Sequence, residues 1–266
     1  MSTSALHTVY YMEITELRGS FFFIKIKSGS DECTIAFNPE LKELKYLDNN
    51  SLTNNLITNN YQLRKILNNK RPDTFYPGFK LKFIFKNNLD AISFNDLSQI
   101  VVLDRRNGHY DIRSEKKSEY HIFKIFTDGC YLEKLKSGAF VALFKNPKGL
   151  LNITCGKTST NSSSLIELMA VIEGLKKTQH IENLRIISDS RYVIKGLTEW
   201  VFNWKLNDWH TAQGEKVKNI EYWQEFDKLT ENKYIEFEWV KGHSSQYENS
   251  ICDFYAKMLA KRIQIS

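Results

Sequence analysis

The sequence predicts two α/β domains in one chain of 266 residues. A smaller mixed domain comes first, and a larger one follows with a mixed five-stranded sheet and helices on both faces. Three observations carry this. Short alternating or apolar runs are interleaved with stretches of helical spacing. A polar, highly charged stretch without period at 104–120 divides them into two groups. In the second group two apolar runs end in Asp, which places carboxylates at the edge of an open sheet where ligands gather. The expected division is a domain at 1–103, a linker at 104–120 and a second domain at 121–266.

In the first domain, alternation marks strands at 9–14, 21–27, 33–37, 79–85 and 99–103. An imperfect apolar stripe, Leu52, Leu56, Leu63, Ile66 and Leu67, marks a helix over 52–67. Lys80 and Lys82 alternate with Phe79, Leu81, Phe83 and Phe85, as Lys25 and Lys27 do with Ile24 and Ile26. That pattern would suit a basic face that meets phosphates, but an ordinary solvated sheet face gives it too and is the preferred reading. No catalytic constellation appears here, so the role of this domain is left unassigned.

In the second domain the strand 122–128 ends in Asp128. A strand at 139–144 follows, then the turn Asn146-Pro147-Lys148-Gly149 and a strand at 150–155. Ser162-Ser163-Ser164 caps a helix carrying Leu165, Leu168, Met169, Ile172 and Leu175. A short strand at 184–188 leads to Asp189, and helices follow at 190–204 and 222–229. A strand at 234–240 and a helix at 251–263 close the order β-β-β-α-β-α-α-β-α: a three-stranded meander, then crossover units.

Composition narrows the function classes. The chain is 42% apolar and 13% aromatic, enough for filled cores. No apolar run is long enough to span a bilayer, and the first residues show no basic-then-apolar leader. Cys33, Cys130, Cys155 and Cys252 have no paired spacing, so free thiols in a reducing, cytoplasmic setting are expected. The net charge of +6 permits a polyanionic partner without requiring one.

Four carboxylates carry the chemistry: Asp128 and Asp189 at strand ends, Glu167 and Asp253 early in helices. Each alone has an ordinary reading as a turn former, a cap or a solvated acid. Gathered together, they repel one another unless divalent cations offset the charge. A pair of magnesium ions would do so, since magnesium takes oxygen ligands and keeps several waters. His243, opening a polar loop after a strand, can relay protons near neutral pH.

Five stretches in register carry a resemblance. They are Ile125-Phe126-Thr127-Asp128-Gly129, Glu167-Leu168-Met169-Ala170, Ser188-Asp189-Ser190-Arg191-Tyr192-Val193, Trp239-Val240-Lys241-Gly242-His243, and Glu248-Asn249 followed by Cys252-Asp253. Residues from about 121 to 262 thereby resemble a type 1 ribonuclease H. The resemblance implies the ribonuclease H-like sheet and hydrolysis of the RNA strand of RNA–DNA hybrids, with 5′-phosphate and 3′-hydroxyl products. It also implies two magnesium ions, with manganese as a substitute. Asp128 would bridge both ions, Asp253 would hold the one that activates water, and Glu167 and Asp189 the one on the leaving-group side. His243 would assist proton transfer or product release.

The resemblance also points to substrate contacts. Trp200, Trp204, Lys205 and Lys218 match a basic helical protrusion that holds the DNA strand, and Gly129, Cys130, Ser163 and Ser164 lie where the nucleic-acid backbone would pass. The loop after Asp128 lacks the Gly and Pro common in bacterial members, and Ser replaces the Asn often found before the helix Glu. The sequence therefore leaves two alternatives open: a hybrid-binding module without turnover, and a nuclease with another duplex target. No membrane partner is expected, and protein partners are not indicated.

Overall fold

The computed structural model describes residues 8–68, 70, 72–85, 91–94, 100–104, 122–242 and 247–261. They fall into two units: Met1–Asn88 with Phe202–Lys218, and Leu89–Val201 with Asn219–Ser266.

The first unit is built on β1 (Val9–Arg18), β2 (Phe21–Ser28), β3 (Asp31–Asn38), β4 (Glu43–Tyr46) and β5 (Lys80–Ile84), with helices α1 (Ser51–Thr58) and α2 (Asn60–Asn68). Its antiparallel sheet runs β4-β3-β2-β1-β5. Ile24 and Ile26 of β2 point inward and join Ile14, Ile35, Leu56 and Leu63 in a closed core. Each such side chain contributes about 1.5–3 kcal/mol of burial. The expected single helix is two, broken at Asn59, because a polar run interrupts the stripe. Asn50 caps the first by accepting from the Thr53 amide at 2.9 Å.

Of the two readings of the lysine-bearing strands, the charges do not favour the basic face. Lys25 and Lys27 both pair with Glu32, at 2.7 and 3.1 Å, and Lys80 approaches Glu13 at 3.9 Å. Lys82 is only 8% exposed, and desolvation pulls its pKa down to about 8. Acids on neighbouring strands offset the charge of this face, and its fourth lysine is withdrawn from solvent.

In the second unit are β6 (Ala91–Phe94), β7 (Ile100–Asp104), β8 (Phe123–Leu132), β9 (Ser137–Lys145), β10 (Leu151–Thr158), β11 (Asn183–Ser188) and β12 (Tyr234–Trp239). The helices that follow along the chain are α3 (Ser163–Lys177), α4 (Arg191–Lys195), α5 (Val201–Leu206), α6 (Ile220–Thr230) and α7 (Tyr247–Lys261), with a π-helical turn at Gly196–Trp200 between α4 and α5; all lie in the second unit except α5, which from Phe202 onward belongs to the first. The sheet runs β10-β9-β8-β11-β12-β7-β6. Its first five strands are the expected ones: the β8–β9–β10 meander is antiparallel, and β8, β11 and β12 are parallel.

The two further strands move the domain boundary. The strand expected at the end of the first domain is β7, and it pairs in parallel with β12, so the first unit ends near Asn88 rather than at 103. Asp104 closes β7, and the rest of the expected linker lies outside the described residues. Alternation shows that a segment is a strand, but its partner is chosen by contacts far away in the chain.

Helices cover both faces. Phe126, Ile187 and Val141 pack with Cys252 and Ala256 of α7. On the opposite face Ile125 of β8 meets α3, close enough at Gly174 that an added Cβ would stand 2.9 Å from Ile125 Cγ2. Between β11 and β12, Arg185 is fully buried and paired with Glu236 at 2.6 Å and Glu238 at 3.3 Å. A paired buried charge of this kind is stable only while both partners remain.

Candidate active site

Parallel pairing sets the first two acids side by side. Thr127 lies opposite Ser188 in the β8–β11 register, so Asp128 and Asp189 are the next residues of adjacent strands. Neighbouring strands are about 4.8 Å apart. Thr127 Oγ1 donates to the Ile187 carbonyl at 3.4 Å, a second tie across this pair.

Beyond Asp189 the chain turns into α4, with the Ser190 hydroxyl accepting from the Val193 amide at 3.3 Å. Trp239 Nε1 donates to the Asp189 carbonyl at 2.8 Å. Gly242 leaves room for the Asp189 carboxylate, for a Cβ there would come within 2.9 Å of Oδ2.

Glu167 is delivered by α3, whose N-cap is Ser162. Gly129 makes its approach possible, since a Cβ at that position would sit 2.8 Å from the Glu167 amide nitrogen and 2.9 Å from Ile166 C. Strand and helix touch here backbone to backbone. Asp253 comes from α7, where Cys252 is buried beneath it and Lys257 Nζ pairs with its carboxylate at 2.8 Å.

All four acids line one cavity of about 300 Å³, together with Gly129, Cys130, Asn249, Ser250 and Lys257. Asp128 is 8% exposed. Burial, then the charge of Asp189, push its pKa up to about 7, although the Gly129 amide donates to it at 2.7 Å. Burial also raises Glu167, while a hydrogen bond from Ser190 opposes the rise. The Cys130 thiol is pushed up by burial and by Asp128, and Cys252 up to about 12.

This electrostatic burden bears on metal binding. Among the described residues no group of three or more His, Cys, Asp and Glu stands close enough together to hold a metal ion as placed. The donor set nevertheless fits a divalent oxygen-seeking ion: carboxylates of sequence-distant elements face one cavity, and the most buried of them is held near neutrality by burial and repulsion that a cation would offset. An open arrangement suits magnesium, which fills its remaining positions with water.

The other expected site residues divide. Gly129 and Cys130 line the cavity. Ser163 and Ser164 open α3, the first exposed and the second half-buried. Trp200 is half-buried and meets the Tyr192 ring edge-on at 5.5 Å. Trp204, Lys205 and Lys218 belong to the first unit, with both lysines exposed. His243 lies outside the described residues. Asn249 and Lys257 line the cavity without having been singled out. They stand four residues before and four after Asp253, the spacing of one helix face, and that period was the available signal.

The RNase H family model matches residues 121–261. Ribonuclease HI of Haemophilus ducreyi is 40% identical over 134 residues, 50% of this chain and 87% of that protein. Ribonuclease HI of Pasteurella multocida is 38% identical over 134 residues, 50% of this chain and 86% of that protein. Among solved structures, LC9-RNase H1, a type 1 RNase H with the type 2 active-site motif, superposes with a TM-score of 0.45 at 21% identity over 53% of this chain and 72% of that one. The family match spans more than half of the residues and contains all four acids, and on that basis the chain belongs to the RNase H family.

Proposed function

We propose that this protein hydrolyses the RNA strand of RNA–DNA hybrids at the cavity lined by Asp128, Glu167, Asp189 and Asp253, leaving 5′-phosphate and 3′-hydroxyl ends. The supporting observation is the convergence of these acids from two adjacent parallel strand ends and two helices on one open cavity, with Asp128 desolvated among them.

A bound pair of magnesium ions, or manganese in their place, would polarise the phosphodiester, lower the pKa of an attacking water and stabilise the departing 3′ oxygen. Asp128 would serve both ions, Asp253 the one on the water side, and Glu167 and Asp189 the one on the leaving-group side. Gly129 holds Glu167 against β8, and Ser190 hydrogen-bonds Glu167. Lys257 neutralises Asp253 when no cation is near. His243 would move a proton at the leaving group or assist release. Gly129, Cys130, Ser163 and Ser164 would meet the substrate backbone, and Trp200, Trp204, Lys205 and Lys218 the DNA strand. The four cysteines are free, as suits a reducing cytoplasm. Among the described residues no helix is long and apolar enough to cross a membrane.

The test is a panel of end-labelled duplexes (hybrid, double-stranded RNA and double-stranded DNA) incubated with magnesium and then manganese. The hybrid RNA strand is expected to be cut, and Asp128→Asn to abolish cutting while the protein stays folded. Binding without cleavage by the wild type, preference for another duplex, or vigorous cutting by Asp128→Asn would each overturn the reading.

A further inference from the structure

The first unit contains a segment from far along the chain, Phe202–Lys218, and the way it is held gives that unit a role. Among the described residues β5 is an edge strand, paired on one side only, with β1. On such a strand alternate residues turn their N–H and C=O groups outward, where they invite association unless they are covered. On β5 these are Lys80 and Lys82, and two asparagines cover them. Asn207 Oδ1 accepts from the Lys80 amide at 3.0 Å and its Nδ2 donates to the Lys80 carbonyl at 2.8 Å. Asn203 Oδ1 accepts from the Lys82 amide at 2.7 Å.

The spacings match. Two residues along a strand advance about 6.6 Å, and four residues along a helix about 6 Å. A pair of asparagines four apart therefore reads the edge of a strand two residues at a time. Two further anchors fix the segment beyond the helix. Ala212 packs on the first unit's core, and its carbonyl accepts from Lys70 Nζ at 3.2 Å. Between these points Asp208 and Trp209 both take the left-handed conformation (φ 50° and 58°), which an aromatic residue rarely adopts unless its surroundings hold it there. The Val217 amide donates to the Trp209 carbonyl at 3.0 Å, and His210 bridges to Lys216, so the loop is closed. Lys205, Lys216 and Lys218 remain exposed on it.

We propose that the first unit holds the segment Phe202–Lys218 in the shape its DNA-strand contact needs, with Asn203 and Asn207 as the positioning residues that dock it on β5. This rests on the nucleic-acid substrate proposed above, and it assigns the first unit the task of anchoring a substrate contact. Lys205, Lys216 and Lys218 are exposed on this segment beside the acids Asp208 and Glu215, and each lysine that meets a phosphate releases counterions. Anchoring spares the ordering cost that a free loop would incur on binding.

The experiment uses the full chain. For Asn203→Ala/Asn207→Ala, hydrogen exchange at the Lys80 and Lys82 amides is expected to quicken at least tenfold while the Ile24 and Ile35 amides stay protected. Dissociation constants for a fluorescein-labelled hybrid, measured by anisotropy in EDTA, should rise about fivefold, and KM with them, with kcat changed less than twofold. Unchanged exchange, or quickened exchange with unchanged affinity, overturns the proposal. Lys216→Ala/Lys218→Ala touches only exposed side chains and serves should the asparagine variant unfold. It should flatten the plot of log affinity against log salt by about 0.9 for each phosphate that is no longer neutralised, and an unchanged affinity and slope would overturn the duplex contact. A wild type that binds the hybrid without cutting it sinks the nuclease reading and leaves this one standing. A wild type that does not bind sinks both.

Discussion

Asp128 concentrates the cost of the site in one side chain. An unfolded Asp titrates near 4, whereas the folded one holds its proton to about 7. Between those values the folded state binds more protons, so this group's contribution to stability falls as pH rises and is fully lost above about 7. Without metal, Asp128→Asn should match the wild type at pH 4 and exceed it by about 2–4 kcal/mol at pH 8. Urea melts in EDTA across this range check the expectation, and a difference independent of pH would contradict it. Gly129 acts by absence. A methyl group there meets the backbone of Ile166 and Glu167, which cannot step aside as a flexible side chain could. Gly129→Ala should cost about 1–3 kcal/mol and lower kcat at least tenfold by displacing Glu167. Denaturation and steady-state cleavage, measured together, separate the two effects.

At the scale of elements, α3 carries Glu167 at its fifth residue, so the start of the helix sets the height of that carboxylate. The Ser162 hydroxyl accepts from the Leu165 amide at 3.3 Å. Ser162→Ala should cost about 1 kcal/mol, read as a lower midpoint in thermal melts, with kcat changed less than twofold because α3 is also buried along β8 and β9. At the start of the π turn at Gly196–Trp200 packing requires glycine: a Cβ on Gly196 would overlap the fully buried Trp223 ring. Helical periodicity marks this stretch as a helix, but an extra residue in one turn leaves no trace in a 3.6-residue pattern.

For the whole molecule, the buried amine of Lys82 in the first unit gives a pH signature opposite to that of Asp128. It stands over the rings of Phe202 and Tyr11, at 5.3 and 5.7 Å. Such contacts return about 0.5–2 kcal/mol, and desolvation still prevails. Its folded pKa of about 8 lies below the unfolded value near 10.4. Between them the unfolded chain binds more protons, so stability rises with pH through that window. Lys82→Met should stabilise the protein by about 1–2 kcal/mol at pH 7 and remove the rise between pH 8 and 10. Differential scanning calorimetry at several pH values tests this, and a destabilised variant would contradict it.

The sequence by itself carried the order of elements in the second unit, because period and strand-end residues are local properties. It also singled out the four acids, each ordinary when taken alone, through five stretches that stand in register, and the structure sets those acids around one cavity. Only the tertiary structure decided that β7 belongs beside β12, that Phe202–Lys218 belongs with the first sheet, and that Lys82 is buried instead of facing phosphates. Each of these depends on which distant edge or core a segment meets. Hydrogen bonds at a strand edge and desolvation of a charge are settled by neighbours in space, and alternation along the chain is the same whichever neighbour is chosen.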